Sequence, residues 1–116
     1  MSDAVPSAGE GFAPLPGLRG DDVAEGALVQ AKHPNGTALC LGRHQGTLFA
    51  VKDHCPHAEF PLSEGTLYAS GELECCWHGA RFDCRSGAVL RGPAEEALVR
   101  YEVEEREGLV FVRRAR

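Results

Sequence analysis

The stretch from Cys55 to His78 constrains this chain more than any other. It holds Cys55-Pro56-His57, then seventeen residues, then Cys75-Cys76-Trp77-His78. A C-x-H pair and a C-x-x-H pair thus arrive in two short loops, each offering one soft thiolate and one imidazole to a common centre. Chance scatter is improbable at this spacing, with Gly and Pro beside the ligands. A disulfide suits neither the surroundings nor the histidines. A structural zinc site stays open, because tetrahedral zinc accepts the same donors. Common zinc modules, however, pair Cys with Cys and His with His along the chain.

The flanking residues carry a family resemblance. Cys55-Pro56-His57, Pro61-Leu62-Ser63-Glu64-Gly65, Cys75-Cys76-Trp77-His78-Gly79 and Phe82-Asp83 together resemble the Rieske family, over about Phe12 to Val112. The resemblance implies one [2Fe–2S] cluster per subunit, with Cys55 and Cys75 on one iron and His57 and His78 on the other. One departure is Cys76, which stands where relatives usually carry Pro and puts a third thiol beside the cluster. High-potential relatives have Ser and Tyr hydroxyls just after the second His; the matching positions here are Ala80 and Phe82. Those relatives also brace their loops with a disulfide, at positions matching Phe60 and Trp77. Both losses point to the low-potential branch.

The same resemblance implies a function. The chain is expected to be a one-electron carrier with no catalytic residue of its own. It would take electrons from a flavin-dependent reductase fed by NAD(P)H and pass them to a terminal, ring-hydroxylating-type oxygenase. Two alternatives are the Rieske small subunit of an assimilatory nitrite reductase and, from a different class, a zinc-stabilised β interaction module. A complete oxygenase would need a second domain with a two-His-one-carboxylate iron site, and 116 residues leave no room for one.

Composition narrows the partners. A net charge of −5 disfavours nucleic acid or an anionic membrane. No apolar run approaches the roughly 20 residues of a membrane-spanning helix. The start, Met1-Ser2-Asp3-Ala4-Val5-Pro6, lacks the basic and apolar regions of a signal peptide, so a cytoplasmic location is expected. Five cysteines without paired spacing do not make a disulfide framework. Cys40, inside Thr37-Ala38-Leu39-Cys40-Leu41, is expected to be a small core hydrophobe.

Local patterns predict an all-β fold. Residues 1–11 are small, polar and rich in Gly and Pro, and are expected to form a loose tail before a single domain over 12–116. Ala27–Ala31 and Thr37–Leu41 flank Asn35-Gly36, a strong hairpin signal. Further short strands are predicted at 47–51, 67–68, 72–74, 88–90, 99–103 and 109–112, with turns at His44-Gln45-Gly46, Ser70-Gly71, Ser86-Gly87 and Gly108. The expected architecture is a Rieske-like antiparallel β-sandwich, with residues about 53–92 forming a small two-loop cluster-binding lobe at one end. A segment containing Pro93 is expected, by resemblance, to cover the cluster. His33 and His44 are expected to be solvated in turns, and His54 to point away from its neighbour Cys55. Asp53, Glu59 and Glu64 are expected to be surface charges that either solvate the loops or steer a partner. Arg113, Arg114 and Arg116 form a basic end, expected to be solvated.

Overall fold

The computed structural model describes residues 9–56, 60–76, 79–92 and 96–115. Among the described residues ten strands form two antiparallel sheets. The larger sheet contains β1 (Ala13–Arg19), β2 (Leu28–Lys32), β3 (Ala38–His44), β4 (Thr47–Lys52), β9 (Arg100–Arg106) and β10 (Leu109–Arg114), in the order β1-β10-β9-β4-β3-β2. The smaller contains β5 (Thr66–Leu67), β6 (Glu72–Glu74), β7 (Arg81–Asp83) and β8 (Val89–Arg91), in sequence order. The smaller sheet therefore lies between β4 and β9 in the chain, where the two Cys/His loops also fall.

Two of the predicted hairpins close through two-residue turns, whereas Asn35-Gly36 lies in a longer connection between Lys32 and Ala38. Gln45 and Gly46 have φ of 53° and 80°, and Glu107 and Gly108 have 50° and 83°. Positive φ at both central residues is the two-residue hairpin geometry whose twist matches that of the strands. The first turn is also held from outside. The Glu25 carboxylate accepts the amides of Gln45 at 2.7 Å and Gly46 at 2.8 Å. These two bonds hold the Glu25 carboxyl below its ordinary range.

Strands β3 and β4 are buried on both faces. Their register pairs Leu41 with Ala50 and Cys40 with Val51. Leu39, Leu41, Leu48 and Ala50 face one way and pack with Leu15, Val23, Val110 and Val112. Strands β10 and β3 are separated by two others in the sheet, so their side chains share one cluster only because the sheet coils over itself. Cys40, Phe49 and Val51 face the other way, toward Leu62, Leu73, Phe82 and Leu98. This double burial explains the unbroken apolar runs Ala38–Leu41 and Leu48–Val51, which lack the alternation of a one-sided strand. Strand β9 does alternate, with Tyr101 and Val103 half-buried and Arg100 and Glu102 exposed.

Strand β1 is not apparent in the sequence. It contains Pro14 and Pro16, which cannot donate to a ladder, and it survives as the outer strand beside β10 with its register broken between Pro14 and Arg19. Of the expected tail, residues 9–11 are described. The Gly9 amide donates to Glu104 at 3.3 Å, and the Glu10 carbonyl accepts from Arg113 at 2.7 Å. Arg113 also pairs with Glu102 and stacks 4.4 Å over Phe12. It is thus a strap across β9, β10 and the N-terminal segment rather than a solvated end, unlike the exposed Arg114.

His44 corrects an expectation. The two-residue turn leaves it inside β3, and it is only 8% exposed. Its ring lies against the Ser70-Gly71 turn of the smaller sheet, where a Cβ on Gly71 would meet Nε2 at 2.9 Å. Its carbonyl accepts from Arg85 at 2.5 Å. His33 is half-buried, with Nδ1 accepting the Asn35 amide at 3.0 Å and its ring tilted on Tyr101.

Arg43 closes the coiled sheet. It donates to the carbonyls of Val23 at 2.8 Å, Gly20 at 2.8 Å and Gly46 at 2.9 Å, and it pairs with Glu105 at 3.2 Å. Arg43→Met keeps much of the apolar stem but removes all five donors. Loss of these bonds, with the Gly20 carbonyl still accepting from the Val23 amide, should lower unfolding free energy by about 2–3 kcal/mol, measurable as an earlier urea midpoint with unchanged slope.

Candidate metal centre

The first Cys/His loop leaves β4 at Lys52. The Asp53 amide donates to the Ala38 carbonyl at 2.9 Å, and the His54 amide to Lys52 at 2.8 Å. The chain then alternates: Asp53 is buried, His54 exposed and Cys55 buried. His54 thus points away from Cys55, as the alternation of an extended segment requires. The second loop leaves β6 in the same way, with Cys75 buried and Cys76 exposed. The adjacent cysteines are therefore inequivalent.

The two loops are closed alike. The Cys55 amide donates to the Phe60 carbonyl at 3.0 Å, and the Cys75 amide to the Ala80 carbonyl at 2.8 Å. Each bond reaches from the cysteine amide to the carbonyl five residues on. Both thiols enter one apolar cluster with Leu62, Leu73, Ala80 and Phe82. Ala80 and Phe82 are fully buried and present no hydroxyl there. His57, Glu59, Trp77, His78 and Pro93 lie outside the described residues. Among the described residues no group of three or more Cys, His, Asp or Glu side chains gathers at one point.

The outer face of the smaller sheet is polar. Arg81 pairs with Glu72 at 3.0 Å and Glu74 at 3.4 Å, and lies 4.4 Å over the Tyr68 ring. The Tyr68 hydroxyl donates to Glu74 at 2.6 Å. That bond and the Arg81 charge hold the Glu74 carboxyl below its ordinary range. The strand that delivers Cys75 is thereby fixed from outside while Leu73 and Phe82 anchor it within.

Asp53 is not the surface charge expected from sequence. It is 8% exposed and accepts three hydrogen bonds. The Gln30 amide group donates to Oδ2 at 2.7 Å, the Ser63 hydroxyl to Oδ2 at 2.7 Å, and the Ser63 amide to Oδ1 at 2.7 Å. The misreading is physical: charges beside a turn are usually solvated, and the partners come from β2 and from the 3-10 turn Leu62–Glu64. Glu64 is exposed. The remaining thiols, Cys40 and Cys84, are buried, and burial raises both above the ordinary thiol range, Cys40 strongly. No disulfide joins the described cysteines.

A family model described as the Rieske [2Fe-2S] domain matches residues 15–102. The ferredoxin component of the p-cumate 2,3-dioxygenase system of Pseudomonas putida is 41% identical over 92 residues, covering 79% of this chain and 78% of that protein. The ferredoxin of carbazole 1,9a-dioxygenase from Nocardioides aromaticivorans IC177 superposes with a TM-score of 0.80 at 26% identity, over 88% of this chain and 98% of that one. A chain in the complex of reduced oxygenase and oxidized ferredoxin in carbazole 1,9a-dioxygenase gives 0.81 at 26% identity, over 93% and 99%. The described donors suit an iron–sulfur group. Two buried thiols stand in apolar surroundings, and the carboxylates of β6 are engaged on the outer face.

Gly65 joins the loops. A Cβ there would overlap the Glu74 carbonyl, immediately before Cys75. The Leu62–Glu64 turn therefore packs against β6 only with glycine at this position. Gly65→Ala should separate the two loops. The expected result is a visible-absorbing centre lost at least several-fold faster under mild chelation, with the far-UV β-sheet signature retained.

Proposed function

This chain belongs to the Rieske [2Fe-2S] family, and as such carries a [2Fe–2S] centre and works as a one-electron carrier. On that premise we propose that Cys55 and Cys75 hold one iron, that His57 and His78 hold the other, and that residues 53–92 form the lobe presenting them. The observation that carries this reading is the matched pair of loops, each with a buried thiol and the same closing hydrogen bond. Cys75 serves rather than Cys76 because it turns into the apolar cluster while its neighbour turns out.

The carrier receives electrons from an NAD(P)H-fed flavin reductase and delivers them to a terminal, ring-hydroxylating oxygenase in the cytoplasm. The relatives whose names place them in dioxygenase systems support the oxygenase as acceptor. Among the described residues no helix is long and apolar enough to cross a membrane. Among the described residues two large apolar side chains stand exposed, Phe60 at 36% and Leu90 at 52%. Phe60 ends the first loop and Leu90 lies on β8, so each offers a partner an apolar contact on the lobe.

When bound, the centre supplies one-electron chemistry. Two thiolates bring an oxidised centre to zero charge, and neutral imidazoles leave it there, which raises the potential above that of four-thiolate clusters. The chain tunes it downward by withholding donors. Ala80 and Phe82 offer no hydroxyl from positions next to the thiols.

Metal analysis of anaerobically purified protein tests the ligand set. Two irons and two sulfides per chain are expected, with a rhombic EPR signal on reduction. Cys55→Ala, Cys75→Ala, His57→Ala or His78→Ala should remove the native spectrum, whereas Cys76→Ala, Cys40→Ala and Cys84→Ala should keep it. Stoichiometric zinc without iron, or a spectrum lost in Cys76→Ala and kept in Cys75→Ala, would overturn the assignment.

Voltammetry tests the tuning. The wild-type midpoint should lie near the low end of the Rieske range, about −150 mV. Ala80→Ser with Phe82→Tyr should raise it, because each new hydrogen bond favours the more negative reduced state. A midpoint above zero contradicts the tuning argument.

A further inference from the structure

Asp53 has a second consequence, for charge as well as for shape. It sits two residues before Cys55, at the point where the first loop leaves β4. Its three hydrogen bonds tie that point to β2 through Gln30 and to the Leu62–Glu64 turn that follows the loop through Ser63. All three donate, the arrangement taken by an ionised carboxylate, which only accepts. No Lys or Arg forms an ion pair with Asp53 among the described residues. Its charge is thus buried, hydrogen-bonded and not neutralised by a cation. Burial, and after it the Asp53 charge, push up the Cys40 thiol, which lies in the same apolar cluster as Cys55 and Cys75.

We propose that Asp53 is a positioning residue with an electrostatic role: it clamps the Cys55 loop at both ends, and its buried charge lowers the reduction potential of the centre. The proposal rests on Cys55 being a ligand. One-electron reduction adds one negative charge to the centre, and a nearby fixed anion opposes it. Burial leaves that opposition little screened by salt. The low potential therefore has two sources in this chain, the missing hydroxyls at Ala80 and Phe82 and the added charge at Asp53.

The two roles separate by mutation. Asp53→Asn removes the charge but keeps the shape. Its carbonyl can accept the Ser63 amide, and its amide group can donate to a rotated Gln30. Gln30→Lys keeps Asp53 and supplies a cation at an exposed neighbour able to pair with it. Gln30→Met keeps the charge and removes one donor. Iron and sulfide content and the visible and EPR spectra establish whether each protein holds the centre. Wild-type protein without these signatures would defeat the ligand assignment itself.

Redox titration then tests the proposal. At a fixed applied potential, Asp53→Asn and Gln30→Lys should raise the reduced-to-oxidised ratio about threefold to tenfold; tenfold corresponds to about 59 mV for one electron. The shift should persist at high salt, and Gln30→Met should not raise the ratio. An intact centre with an unchanged ratio in Asp53→Asn, or an equal rise in Gln30→Met, would overturn the electrostatic role. If Asp53→Asn fails to hold the centre, Gln30→Lys against Gln30→Met decides: equal ratios in those two overturn it.

Discussion

The burial of β3 and β4 on both faces is the constraint on which the rest of this structure depends. Residues 39–41 and 48–51 contribute alternately to two cores, one inside the coiled larger sheet and one between that sheet and the smaller. A one-residue slip in the β3–β4 register would exchange the two sets of side chains. The hairpin cannot slip easily, because its two-residue turn is fixed by positive φ at both positions and by the Glu25 carboxylate on their amides. Leu41 opposite Ala50 and Cys40 opposite Val51 then place every apolar side chain in its own core.

The metal-centre loops inherit their geometry from this hairpin. The first begins where β4 ends, so the face on which Cys55 emerges is set by the parity of the strand. Val51, Asp53 and Cys55 are buried, while Lys52 and His54 are exposed. The second loop begins at the end of β6, whose inward residue Leu73 pairs with Phe82. Both thiols therefore arrive in the core that the hairpin shares with the smaller sheet. Each loop is then closed by one backbone hydrogen bond over the same span. The proposed ligands come from two copies of one device, differing in whether the histidine stands two or three residues after the cysteine.

This arrangement also explains how the proposed centre keeps a defined site without a disulfide among the described cysteines. Rigidity comes from hydrogen bonds and close backbone contact. Asp53 ties the first loop at both ends, Gly65 lets the loop lie against the strand before Cys75, and the Tyr68–Glu74–Arg81 group braces that strand from outside. The polar members of this scaffold carry charge as well as shape, so the groups that hold the loops also enter the electrostatics of the centre.

The sequence by itself determined the chemistry and the local folds. The spacing Cys55-Pro56-His57 and Cys75-Cys76-Trp77-His78 carries the family, and the turns at Asn35-Gly36, Gln45-Gly46 and Gly108 place the hairpins, because these signals depend only on residues close in the chain. The exposure of His54 was legible from alternation, whereas the burial of Cys75 and the exposure of Cys76 came only from the structure. Only the tertiary structure decided the positions whose partners are distant. Strand β1, with Pro14 and Pro16, is a strand because β10 offers it an edge. His44 is buried because the Gly71 turn covers it, and Arg113 is a strap because Phe12, Glu10 and Glu102 converge on it. Asp53 is a clamp because Gln30, twenty-three residues away, and Ser63, ten residues away, reach it at once. Periodicity and turn chemistry describe what a segment does alone, whereas burial of a charge or an imidazole is set by the surface that closes over it.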